Sequence, residues 1–508
     1  MPSARLKNRG ARHRTEAAAL ATDKLETRHL VCYKEVGCWL APLVLLFMAG
    51  CAVGPNYKTP TAEVPAAFAN GTQANFSSAE IAITWWRGFK DPRLDQLVDR
   101  ALAGNHDLRI ATANVHEARA LRRQAQFDLL PAPQGTAGYT HSLYSQAFEP
   151  GVPRNLRNIQ LYDAGFDATW ELDFFGRVRR SVQANTAEWQ AAEANRRDVM
   201  VTLISEVARN YFELLGAQGE LDVARHNADN QRETLKITQA VLDGGRGTEL
   251  DVARARAQLN NTLANIPPLE ADIARAIHRL SVLVGQQPTA LAAELQQPEP
   301  LPALPPLVFI GDPAMLLRRR SDVRAAERQL AAASARIGIA TADLFPRVTF
   351  NGRLGLEASS FSGLTKGGSD TWSFGPSITW AALDYGHVRA RMQAAGAQSD
   401  AQLARYEQTV LGALEETENS LVDFSREQTR REFLRESESA SEIAATLARQ
   451  RYENGATDFL TVLDAERVLY EAQDQLARSN TRAATALVAV YKSLGGGWEI
   501  ELTEKPKS

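Results

Sequence analysis

Few residues in this chain of 508 are spaced to make or break bonds. Its eight histidines, at positions 13, 29, 106, 116, 141, 226, 278 and 387, form no HExxH pair and no other close metal-ligating spacing. Gly244-Gly245-Arg246-Gly247 lacks the Lys-Ser/Thr that completes a phosphate-binding loop, and it reads as the turn of a helical hairpin. No GxSxG nucleophile elbow occurs, so neither enzyme chemistry nor a cofactor is expected. What the sequence does space regularly is carboxylates. Asp163, Asp167 and Glu171 stand four apart in a segment of period two, which places all three on one face of a strand. A row of that kind biases the passage of ions through water rather than covalent events.

A different chemistry is written at Cys51. An apolar run, Val36 to Gly50, is too short to span a bilayer and ends in small residues directly before this cysteine, as a cleaved secretory signal does. Met48-Ala49-Gly50-Cys51 resembles the bacterial lipobox, in which the cysteine is acylated and becomes the new N-terminus. Ala52 follows, and the absence of Asp there resembles lipoproteins sorted to the outer membrane. Residues before Leu30 are polar and mixed in charge, so a misassigned start, with Leu30 or Val31 read from a non-AUG codon, is the expectation. Loss of residues 1–50 removes eight basic and four acidic residues and takes the formal net charge from -3 to -7, which argues against a nucleic-acid binder. Cys32 and Cys38 leave with the signal. No internal disulfide is then possible, and stability rests on packing.

The elements that must position these residues are legible as two periods. Val348, Phe350, Leu354 and Leu356 alternate with Thr349, Asn351, Arg353 and Gly355; Trp372, Phe374, Ile378 and Trp380 alternate likewise, as do Phe166, Ala168, Trp170 and Leu172. Segments of about ten residues with aromatics near their ends match transmembrane β-strands. They fall into two hairpins, within Gln134 to Leu172 and Arg347 to Leu383, giving four strands. Four strands cannot close a barrel, and an open edge in lipid leaves backbone groups unsatisfied, so oligomerisation is expected: two chains give eight strands with a filled lumen, three give twelve and room for water.

After each hairpin comes a proline-free segment, Gly176 to Gly244 and Gly386 to Gly455, which as a helix would reach roughly 100 Å. Heptads run back from Val252 (Val252, Leu259, Ile266, Ile273, Leu280) and from Val462 (Val462, Leu469, Leu476, Ala483, Val490), each with a partly small-residue set three positions behind. Pro267-Pro268 should break the first return helix. A constant offset of 210 residues pairs Trp170 with Trp380, Gly176 with Gly386, Glu206 with Glu416, Gly245 with Gly455, Leu250 with Leu460 and Gly285 with Gly495, the signature of a tandem repeat. Near the N-terminus, Asp91-Pro92 marks a capped helix start and Asn105 a second.

The stretch Cys51 to Lys58 (CAVGPNYK), Trp85-Trp86, Leu317 to Val323 (LRRRSDV), Phe345-Pro346, Leu383 to Gly386 (LDYG) and Arg451 to Glu466 resemble the TolC-like outer membrane efflux proteins, in particular their OprM/NodT lipoprotein branch. Ser321 stands where the family usually has proline. The resemblance implies an α+β membrane protein: a homotrimer enclosing a twelve-stranded barrel, continued by a coiled-coil tunnel through the periplasm. It implies docking to a periplasmic adaptor and an inner membrane pump, commonly of the resistance-nodulation-division (RND) class, and release of drugs or other small molecules outside the cell. It also aligns Leu460 and Asp464 with a closed periplasmic constriction. Thr461 stands where some channels carry a second acidic residue, and Tyr452 matches a hydrogen-bonding partner of the closed state. Two other readings stay open: a type I protein-secretion exit duct, which shares the fold, and a non-channel lipoprotein whose coiled coils merely span the periplasm. The chain divides into a signal segment (1–50), a lipidated tether (51–82), two repeats (83–285 and 313–495) joined by a proline-rich linker (286–312), and a C-terminal tail (496–508).

Overall fold

A computed structural model describes residues 52–499 except 62, 73, 74, 80 and 81. The signal segment, Cys51 and the last residues of the tail lie outside the described residues.

The alternating segments form one antiparallel sheet in the order β2 (Ala132–Leu143), β3 (Asn158–Leu172), β5 (Arg347–Ala358), β6 (Asp370–Thr379). Two further strands, β1 (Phe76–Ser77) and β4 (Val308–Phe309), pair in parallel far along the chain from that sheet. Within the four-stranded sheet the register sets Phe166 opposite Leu354, Trp170 opposite Phe350 and Leu354 opposite Trp372. The outer edges of β2 and β6 pair with nothing in the described residues. Trp170 and Trp380 do the same job in the two halves: the indole N–H of Trp170 donates to the carbonyl of Leu129 (2.9 Å), and that of Trp380 to the carbonyl of Leu344 (3.0 Å). Each bond fixes a strand end against the chain entering its own hairpin.

Each hairpin feeds a long helix, Arg177–Asp243 of 67 residues and Tyr385–Glu453 of 69, or about 100 Å at 1.5 Å per residue. Return helices Glu249–Leu283 and Phe459–Ser493 run back against them. All the heptad positions named above are buried or half-buried. The ends match at the 210-residue offset: Asp243 and Glu453, Glu249 and Phe459, Leu283 and Ser493. Gly245 and Gly455 take φ of +73° and +71° in the two tip turns, a conformation open to glycine at little cost. Gly176 and Gly386 differ: the first caps its helix at φ +81°, the second lies inside its helix.

The expected break at Pro267-Pro268 is a correction. Glu249–Leu283 is one helix through both prolines. They withhold the N–H groups that would serve the carbonyls of Leu263 and Ala264, but both prolines and Ala264 are exposed, where solvent serves instead.

Two shorter helices, Pro92–Gly104 and His106–Phe127, start at the expected caps: the Asp91 carboxylate accepts from the N–H groups of Arg93 and Leu94, and Asn105 from that of Leu108. The largest apolar core lies where these helices meet the middle of the first long helix and the ends of the return helices. Trp85 stacks on Tyr491 at 4.9 Å, and Phe89 meets Phe212 at 4.8 Å. The described part of the 51–82 segment is bound along its length. Tyr57 donates to Glu327 (2.5 Å), the Asn70 amide to Glu418 (2.7 Å), and β1 joins β4.

Ser321 begins helix Ser321–Ala342, and among the described residues its buried hydroxyl finds no partner. The preceding Arg320, at φ -64° and ψ 124°, already has the extended backbone a proline demands of its predecessor. Ser321→Pro should therefore stabilise the protein by about 0.5–1 kcal/mol, read as a later unfolding midpoint in denaturant.

Candidate functional site: a two-faced sheet and a helical tip

Register decides what each face of the sheet offers. Directly opposed residues share a face, so Tyr139, Phe166, Trp170, Phe350, Leu354, Trp372, Phe374 and Ile378 form one side. That side is bare: Phe166 is 71% exposed, and Trp372 and Ile378 are each 69% exposed. A continuous apolar face this exposed suits acyl chains. The opposite face carries Gln134, Thr136, Asp163, Asp167, Glu171, Arg347, Thr349, Asn351, Arg353, Glu357, Ser373 and Ser377.

Asp163, Asp167 and Glu171 do lie together on the polar face, but not as bare carboxylates. Asp167 stands opposite Arg353. The Arg353 guanidinium lies 3.5 Å from Asp163, 3.9 Å from Asp167 and 3.5 Å from Glu357. Thr136 also donates to Asp167 (2.8 Å). Glu171 takes both arms of Arg177, at 2.7 and 2.5 Å, with Arg347 at 3.8 Å. In the sequence Arg353 reads only as a polar strand position. The register sets this residue between two of the acids, and pairing between hairpins leaves no trace in either strand alone.

At the far end of the long helices, Phe459 and Val462 bury with Ala255 and Ala448 in a small apolar cluster, with Leu463 packed against it. Leu460 takes no part and is 50% exposed, on the same side of the helix as Asp464 one turn on. Leu447 and Val468 line the same groove. Asp464 pairs with Arg467 at 2.8 Å, and Arg467 also holds Glu471 at 2.8 Å. Thr461 is occupied by the helix start: its N–H (3.1 Å) and hydroxyl (2.6 Å) both donate to Asp458. Those bonds hold the Asp458 carboxyl below the ordinary carboxylate range. Tyr452 packs its ring on Phe459 at 5.6 Å, and among the described residues its hydroxyl makes no hydrogen bond. Burial, followed by the Asp251 charge, pushes that hydroxyl's pKa up.

One residue of the tip escaped sequence reading. Glu466 is 1% exposed, accepts from Arg449 at 2.5 Å and from the Thr234 hydroxyl at 3.1 Å, and so joins three helices through one carboxylate. The only signal was a charged residue one turn after Val462, on a stripe that is otherwise buried. Among the described residues no cluster of metal-ligating side chains occurs, and no helix is long and apolar enough to cross a membrane.

The outer membrane efflux protein family matches the chain twice, over residues 97–286 and 313–496. The solvent efflux pump outer membrane protein SrpC of Pseudomonas putida is 34% identical over 470 residues, 91% of this chain and 98% of that protein. Nodulation protein T of Rhizobium leguminosarum bv. trifolii is 30% identical over 91% of this chain and 97% of its own length. Among solved structures, the outer-membrane channel OprN superposes with a TM-score of 0.83 at 44% identity, covering 88% of this chain and 100% of that one. The chain belongs to the outer membrane efflux protein family.

Proposed function

We propose that this protein is the outer membrane duct of a tripartite efflux system, a lipoprotein homotrimer acylated at Cys51 that releases small molecules outside the cell. The carrying observation is the sheet. One apolar and one polar face, with two open edges, run directly into helices of about 100 Å. Three chains supply twelve strands, a barrel wide enough for water, and pair every open edge. The helices extend the duct through the periplasm, where an adaptor and an inner membrane pump of the RND class would dock on it. The solvent-efflux relative favours small apolar cargo over an exported polypeptide. The 210-residue coincidence of helix ends supports a tandem origin for the two halves, each giving one barrel hairpin and one helical hairpin.

The test is conductance in planar bilayers with cross-linking of the same preparation: steady channels from a trimeric species are expected, and a non-conducting protein or a dimer would sink the reading. Selectivity follows from the polar face, which per chain sets Arg347 and Arg353, with Arg177 bound to Glu171, against four carboxylates, Asp163, Asp167, Glu171 and Glu357. Cations should pass preferentially, though less than three uncompensated carboxylates would make them. Arg353→Gln removes the charge between the acids and should raise the cation-to-anion permeability ratio by about two- to five-fold, read from reversal potentials.

A further inference from the structure

We infer that the first turn of the Arg177–Asp243 helix, together with Gly338, forms a socket for the first residues of the mature chain, and that this socket sets the point at which the acyl chains on Cys51 enter the membrane. The second half of this statement rests on the lipoprotein reading; the socket itself does not.

Arg180 is a charged side chain only 3% exposed. Among the described residues its guanidinium faces no carboxylate. Nε donates to the carbonyl of Val53 (3.0 Å); Nη2 reaches the carbonyls of Gly54 (3.1 Å) and Ala52 (3.4 Å) and the side-chain oxygen of Asn56 (3.0 Å). Only Nη1 bonds within its own helix, to Gln183 (2.9 Å). A buried guanidinium needs its donors met, and here four of its five acceptors belong to residues 52–56. Emptying the socket would strip four of these five acceptors from Arg180 and uncover it to water.

Its walls are cut to the thickness of a backbone. A Cβ on Gly54, which sits at φ +87°, would lie 2.5 Å from the Cα of Gly338. A Cβ on Gly338 would lie 2.8 Å from the Arg180 side chain, and one on Gly176 would lie 2.5 Å from the Cα of Ala52. Three glycines from three segments thus meet around one arginine. This fit is to a particular stretch of chain, more than a general polar contact.

The socket also has an address. The N–H of Val53 donates to the carbonyl of Phe175 (3.0 Å), three residues beyond the end of β3, and the Phe175 ring stacks on Phe345 (4.6 Å), two residues before β5 begins. Residues 52–53 are therefore held at the sheet–helix junction, just beyond the pair Leu172 and Val348 that ends the apolar face. Ala52 is the residue bonded to Cys51 in the sequence. Acyl chains starting there begin at the rim of the lipid-facing surface. A free tether of some thirty residues would instead let them wander around the barrel.

The test uses the full-length protein carrying a photoreactive diazirine fatty acid, in phosphatidylethanolamine–phosphatidylglycerol vesicles, with amide exchange of Val53 followed in parallel. In the parent protein, Val53 should be protected and cross-links should concentrate in peptides 168–174 and 345–350. Arg180→Met, and independently Gly54→Val, whose added side chain would press on the Gly338 backbone, should speed Val53 exchange by about tenfold or more and scatter the cross-links. Unprotected Val53 in the parent protein overturns the socket. Cross-links unchanged in both variants overturn its positioning role. Unmodified Cys51 in the mature N-terminal peptide overturns the lipid reading alone, and Val53 protection still decides the socket.

Discussion

Arg449→Ala will loosen the periplasmic tip, with amide exchange around residues 450–470 rising by about a hundredfold. Glu466 is almost wholly buried, and its carboxylate is held by Arg449 and Thr234, from the two different long helices. Removing one partner of a buried ion pair strands the other, at about 3–5 kcal/mol. The Arg449 side chain is partly in water, 42% exposed, so the lower end, about 3 kcal/mol, is the relevant figure, or about two powers of ten in an opening equilibrium. Removing both charges should do less harm. Arg449→Met with Glu466→Met leaves no orphan, and its exchange should return most of the way to that of the parent. A rise of less than threefold in the single variant would show that the pair does not hold the tip.

The second large effect concerns permeation. In the proposed trimer, Leu460 and Asp464 occur three times each around the axis. Leu460 is left out of the apolar cluster built by Phe459 and Val462, as expected of a residue that closes a passage rather than packs a coil. Leu460→Ala with Asp464→Ala should raise single-channel conductance several-fold while trimers still assemble, because an apolar ring that excludes water is lost together with a ring of carboxylates. Asp464 is already paired with Arg467, so Leu460→Ala alone should give most of the gain. Unchanged conductance in assembled trimers of the double variant would remove these residues from the gate.

Much of the architecture could be read from residue spacing because the forces that shape it are periodic. Lipid on one side and water on the other impose period two on residues 347–358 and 370–379, and a coiled coil imposes period seven from Val252 and Val462. Tip turns announced themselves through Gly245 and Gly455, since a left-handed residue is inexpensive only for glycine. What stayed hidden was pairing across long sequence distances. Arg353 meets Asp163 and Asp167 only after β3 and β5 choose their register, and Glu466 finds Thr234 232 residues earlier in the chain. Pro267-Pro268 misled for a related reason: a helix tolerates lost N–H groups when solvent can serve the freed carbonyls, and exposure is set by the tertiary fold.

The length of the helices has an electrical consequence. Ions crossing the proposed duct meet two resistances in series, a barrel about 30 Å deep and a helical section of about 100 Å. For a bore of even width the helices hold about three-quarters of the total resistance, and any narrowing at the tip adds to their share. Substitutions in the barrel, Arg353→Gln among them, should therefore change which ions pass far more than how much current flows. Substitutions at the tip should do the reverse.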